Sequence, residues 1–176
     1  MKNVLIVAIG DVGNEPEAIR QILERFNYFV GVKYVGRPDD FIEVLLNELP
    51  FEADCIIISC HGDNRMIKMP LLAEEVYGAD EPRGDFSADL VGQYLKLKNK
   101  LIINLGCTTG YKEMSEAFSK DNTYIAPYDY IDGNAAVFFV IHLFYEMCQN
   151  GRMLEEAYTL ASGTDNETAL FTLAEV

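Results

Sequence analysis

The sequence predicts a three-layer α/β/α sandwich on a mainly parallel sheet, and three observations predict it. Apolar runs of strand length recur along the chain, segments of helical period separate them, and the alternation continues to about residue 162. Strands alternating with helices are the pattern of parallel crossover units, whose connections turn right-handed. The 176 residues suit a single domain, 1–176, large enough to bury a core without disulfides.

Each element has its own signal. "NVLIVAI" is a continuous apolar run bounded by Gly10, as expected of a strand covered on both faces. "EPEAIRQILERF" follows, with Pro16 suited to a first helical turn and Ile19, Ile22, Leu23 and Phe26 on one face. "YFVGVKYV" is β-branched and aromatic, and "PDDFIEVLLNEL" sets Phe41, Val44, Leu45 and Leu49 on one helical stripe. "DCIIISC" is a third strand. The stretch after it, through "MPLLAEEVYGADEPRGD", is too long for an ordinary connection and reads as a surface excursion or flap.

Helical signal resumes in "FSADLVGQYLKL", where Ser87 is the candidate cap, and "KLIINLGC" is the fourth strand. "YKEMSEAFSK" is a short helix, "TYIAPY" a fifth strand and "DYIDGN" a turn. The long apolar helix "AAVFFVIHLFYEMCQN" stops at Gly151, and "MLEEAYTLAS" adds one more. The tail from 163 to 176 carries no clear period.

Charge and cysteine usage narrow the function. A net charge of -14, from 28 acidic and 14 basic residues, repels polyphosphate and anionic surfaces. Nucleic acid and membrane are therefore poor partners, and a cationic ligand or peptide is favoured. Cys55, Cys60, Cys107 and Cys148 form no CxxC pair and read as free thiols in a reducing compartment. The opening run is followed by Asp11 without a small-residue cleavage site, and the longest apolar stretch holds His142 and Glu146. The expected location is the cytoplasm.

No cofactor or metal is expected. "GDVGNE" misses the dinucleotide and phosphate-loop patterns. Adjacent residues of a strand point to opposite faces, so Cys60 and His61 are ill placed to share an ion.

The chemistry concentrates at two strand ends. In "CIIISCHGD" an apolar strand runs into His61, the first of only two histidines, and in "LIINLGCTTG" another runs into Cys107. Ligands bind beyond the carboxyl ends of parallel strands, so neighbouring strands would bring both side chains to one edge. A thiolate is a strong nucleophile, and an imidazole can take its proton. Gly62 and Gly106 leave room for a substrate backbone and free amides to face an oxyanion. A low-molecular-weight phosphatase would need Arg where "CTTGYKE" has Glu113, and a receiver would need Asp where Cys60 and His61 stand. A flavodoxin-like small-molecule-binding domain and an inactive binding or adaptor module of the same fold are the alternatives.

These two blocks resemble those of the caspase-like cysteine peptidases, in which one apolar strand ends in His-Gly and a later one ends in a small residue before Cys. The course from Cys107 through Gly110, Phe144, Tyr145, Gly151, Glu156 and Ala157 is similar to the CHAT-type branch, and the resemblance covers roughly 53 to 162. It implies a caspase-like fold and a cysteine endopeptidase acting on a peptide or protein, with Cys107 as nucleophile and His61 as its proton partner. It also implies an oxyanion site at the amides of Gly62 and Cys107, and an acid, Asp129 or Asp132, that selects a basic residue before the scissile bond.

Overall fold

Along the first strand, β1 (Asn3–Ile9), side chains alternate between two apolar cores, as a pleated strand requires. Leu5, Val7 and Ile9 enter one core, while Val4 and Ile6 enter the other. Both sides of the strand are thus covered, which is why its sequence is apolar throughout. In the computed structural model, which describes residues 2–175, this pattern repeats across the sheet.

The remaining strands are β2 (Phe29–Val35), β3 (Cys55–Ser59), β4 (Gly62–Asp63), β5 (Met66–Ile67), β6 (Leu101–Asn104), β7 (Thr123–Pro127) and β8 (Phe171–Ala174). The main sheet has the order β2-β1-β3-β6-β7-β8, parallel except for β8, and β4 with β5 forms a separate hairpin. The helices are α1 (Glu15–Arg25), α2 (Pro38–Leu45), α3 (Ala88–Tyr94), α4 (Lys112–Ser119), α5 (Gly133–Gln149) and α6 (Leu154–Ser162). α2, α3 and α4 cover one face through Phe41, Val91 and Phe118. α1, α5 and α6 cover the other through Leu23, Phe139 and Ala157. The three-layer sandwich expected from the sequence is the architecture found.

Local signals explain most boundaries. Pro16 and Pro38 stand in the first turns of α1 and α2, and Ser87 accepts a hydrogen bond from Leu90 N at 3.3 Å as the cap of α3. The tail without a period forms β8. It pairs antiparallel with β7 and stacks Phe171 on Phe139 at 3.8 Å. An edge strand packed mainly at one residue needs no alternation, and so left none to read.

The long excursion between β5 and α3 is tied at its base and its middle. Ile67 and Phe86 exchange backbone hydrogen bonds of 3.0 and 2.9 Å, and Asp85 accepts from Met69 N and Lys68 Nζ. Glu81 is the second anchor. Its carboxylate accepts from Gly78 N at 2.8 Å, from Asp39 N at 3.0 Å and, as a fork, from the Arg37 guanidinium. Arg37 and these amides hold its pKa down to about 2, against an ordinary 4.5.

A depressed carboxyl stabilises the fold above its unfolded pKa and loses that contribution as pH falls toward the folded one. Glu81→Gln should therefore lower stability at neutral pH by about 1–3 kcal/mol, by weakening the bonds that satisfy a buried side chain. In urea titrations, the gap between parent and variant should close as pH falls from 4.5 to about 2.

Candidate active site

β3 and β6 lie side by side at the centre of the sheet, with Cys55 opposite Leu101 and Ile58 opposite Asn104. Leu105 N still donates to Ile58 O at 2.9 Å, so the pairing continues past the last ladder residue. His61 and Cys107 follow the last residues of these two strands, Ser59 and Asn104. Both residues line one cleft of about 350 Å³ at the carboxyl end of the strands, together with Asp11, Glu15, Ile131 and Ala136.

His61 is held by backbone. Its Nε2 lies 2.9 Å from the carbonyl oxygen of Asp11, just beyond the end of β1. A carbonyl only accepts, so Nε2 carries the proton and the neutral ring keeps its lone pair on Nδ1. The imidazole is thus fixed in a tautomer able to take a proton. Sequence reasoning could not find Asp11 in this role, because a main-chain oxygen leaves no residue signature.

Cys107 sits in a strained turn. The next residue, Thr108, has φ of 61°, a left-handed conformation unfavourable for a β-branched side chain and costing about 1–3 kcal/mol. Two contacts hold it: Thr108 N donates to Asp129 O at 3.2 Å, and Thr108 Oγ1 accepts from Arg65 N at 3.0 Å. The thiol of Cys107 is partly exposed and lies 3.7 Å from Ile131 O. Cys60 also borders the cleft, but it is buried, donates to Asn104 Oδ1 at 3.3 Å, and has its thiol pKa pushed up by burial. A buried, protonated thiol is a poor nucleophile, and of the two thiols bordering the cleft Cys107 is the one partly open to solvent.

Gly62 meets the other side of this turn. A Cβ added there would fall 2.1 Å from Cys107 O and 2.8 Å from Cys107 N, so only glycine permits the approach. Gly62 also opens the β4–β5 hairpin, whose turn residues Asn64 and Arg65 have φ of 50° and 65°. These are the two positive φ values of a tight I′ hairpin turn, hard to foresee with Arg in the second place. Gly62 faces Ile67, and the Ile67 N–H goes to Phe86 O instead of across the hairpin. The pair is therefore of the kind that exchanges no ladder bonds, and the Gly62 N–H points out of the hairpin.

The acids divide between rim and interior. Asp129 is exposed and its carboxylate accepts from Tyr130 N. Asp132 is exposed and caps α5 by accepting from Asn134 N at 2.8 Å. Neither lines the cleft, although Ile131 and Gly133 on either side of Asp132 do. Asp63 accepts from Tyr130 OH at 2.5 Å, linking the hairpin to the loop before α5 and raising the phenol's pKa. Glu15, which the sequence reading did not single out, does line the cleft. Among the described residues, no group of three His, Cys, Asp or Glu side chains is placed to hold a metal, and no helix is long and apolar enough to cross a membrane.

Because the atom facing Gly62 is backbone, a methyl group there has nowhere to go. Gly62→Ala should cost about 3 kcal/mol or more in urea denaturation, by forcing the two strand ends apart.

No protein-family model matches the chain, and no curated protein matches its sequence. Solved structures do match. The Arg specific cysteine proteinase gingipain R superposes with a TM-score of 0.58 and 12% identity, over 94% of this chain and 43% of that one. The chain therefore spans less than half of gingipain R. The structure of drICE superposes with a TM-score of 0.57 and 14% identity, over 99% of this chain and 87% of that one. At these identities the likeness is one of fold, and the fold is caspase-like.

Proposed function

We propose that the protein is a cysteine endopeptidase of the CHAT-type branch, with Cys107 as nucleophile and His61 as its general base. The observation that carries this reading is the shared cleft, in which His61 has Nε2 committed to Asp11 O and Nδ1 left to accept a proton. Fold likeness to a cysteine proteinase and the order of the two sequence blocks support it. The substrate is a peptide or protein cut after a basic residue, a preference that fits the net charge of -14. Four free thiols fit a reducing, cytoplasmic setting.

The chemistry proceeds in two halves. The Cys107 thiol gives its proton to Nδ1 of His61, and the thiolate attacks the scissile carbonyl carbon. Negative charge moves to the carbonyl oxygen, where the N–H groups of Gly62 and Cys107 stabilise it. As the C–N bond breaks, the leaving amine takes the proton from His61 and a thioester remains on Cys107. Water, deprotonated by the same imidazole, then hydrolyses the thioester and restores the thiol.

A peptidyl acyloxymethyl ketone tests this reading, because an activated thiolate displaces its carboxylate and leaves a thioether readable by mass spectrometry. The parent should be modified at Cys107, and Cys107→Ala should not be modified at all. His61→Ala should slow modification by about 10²- to 10⁴-fold. A folded chain that binds the peptide portion reversibly but leaves Cys107 unmodified would instead be a binding module.

A further inference from the structure

The turn that carries Cys107 rests on a buried hydroxyl. Thr109 is fully buried, and its Oγ1 donates to Gly106 O at 2.7 Å, a carbonyl that already accepts from Thr109 N at 3.3 Å. One donor is enough to keep a buried carbonyl from being orphaned. The second, shorter bond fixes the direction in which the carbonyl points.

Gly106 O belongs to the peptide group that ends in Cys107 N. Among the described residues no peptide bond is cis, and in a planar trans peptide the N–H points opposite to the C=O. A carbonyl turned inward to Thr109 therefore turns the Cys107 N–H outward, where, among the described residues, it donates to no backbone carbonyl.

Residue 106 does not supply this hold itself. A Cβ there would fall 2.8 Å from Cys60 Sγ, and the glycine that the space requires leaves the adjoining peptide free to turn. Thr109 is anchored on the far side. Its own carbonyl accepts from Tyr124 OH at 3.1 Å, and Gly110 N donates to Pro127 O at 2.7 Å. Tyr124 is fully buried and stacks on Phe118 with ring centroids 4.7 Å apart. The hold thus runs from β7 through Thr109 to the peptide before Cys107, and a β-branched side chain has few rotamers in which to lose it.

We propose that Thr109 is a positioning residue of the site, its hydroxyl aiming the Cys107 N–H at the oxyanion by holding the carbonyl at the other end of the same peptide. The assignment rests on the peptidase reading above. Fully buried, Thr109 acts only through that peptide, so losing its hydroxyl weakens the stabilisation of charge on the substrate oxygen and spares the thiol and imidazole.

The test compares two reagents at Cys107. With a peptidyl aldehyde ending in arginine, the sulfur adds to the carbonyl carbon and the C=O π bond opens. Its electron pair goes to the oxygen facing the amides, while His61 keeps the thiol's proton. With iodoacetamide the sulfur displaces iodide at a saturated carbon and no oxyanion forms. Thr109→Ala should weaken aldehyde binding, read by calorimetry, by about 10- to 100-fold, short of the outright loss of a donor. Its iodoacetamide rate at Cys107, read by mass spectrometry, and the pH profile of that rate should match the parent's, which also shows that the site is folded. Thr109→Ser, which restores the hydroxyl, should recover the parent's aldehyde affinity. Should Thr109→Ala fail to fold, Thr109→Val refills the space without a hydroxyl and should show the same split between the reagents.

Three results would overturn the assignment while leaving the peptidase reading intact. One is an unchanged aldehyde affinity in Thr109→Ala. Another is an iodoacetamide rate that falls together with aldehyde binding, which would make Thr109 a general prop of the Cys107 turn. The third is a Thr109→Ser affinity as low as that of Thr109→Ala. A parent whose Cys107 takes up no aldehyde would overturn the peptidase reading and this assignment with it.

Discussion

The close approach of Gly62 to the backbone of Gly106 and Cys107 is the constraint on which the candidate site depends. A Cβ at Gly62 would overlap Cys107 O, so the ends of the two central strands meet main chain against main chain. That contact joins the two strand ends beyond their ladder, where His61 and Cys107 line one cleft. It also crowds the Cys107 turn, whose next residue takes a left-handed conformation held by Asp129 and Arg65. Rigid packing on both faces makes such strain sustainable, because a dense core gives the strand ends no room to relax.

Much of this was legible in the sequence. Ile56, Ile57 and Ile58 read as a strand covered on both faces, and they alternate between the two cores. His61 and Cys107 read as strand-end residues, and the topology makes their strands neighbours. Three things were not legible, for different reasons. The Asp11 contact uses a carbonyl, which every residue possesses. The β4–β5 turn puts Arg65 at a positive φ, where a turn pattern would have placed glycine. Glu15 stands in no motif, and only the folded chain brings it beside Ser59 and into the cleft.

The distribution of charge follows the same logic of paired and unpaired groups. Glu81 is satisfied by Arg37 and two amides, and it serves to pin the excursion against the start of α2. Glu146 is engaged by Arg152 and Asn150 at the end of α5. These carboxylates are structural, and their low pKa values reflect contacts already made. Glu15 differs in having burial without a cation, and the raised pKa follows. The contrast within one chain separates acids that hold the fold through a cation from one that lines the cleft with a hydroxyl as its partner.

The central claim is that His61, Cys107 and the two amides converge on one reacting carbonyl. A crystal structure of the Cys107 thioether adduct with a peptidyl ketone measures this directly. The account predicts the ketone oxygen at about 3 Å from both Gly62 N and Cys107 N, with His61 Nδ1 within reach of the sulfur. A His61 ring beyond about 7 Å from the sulfur and turned away from it, or a ketone oxygen facing solvent, would contradict it.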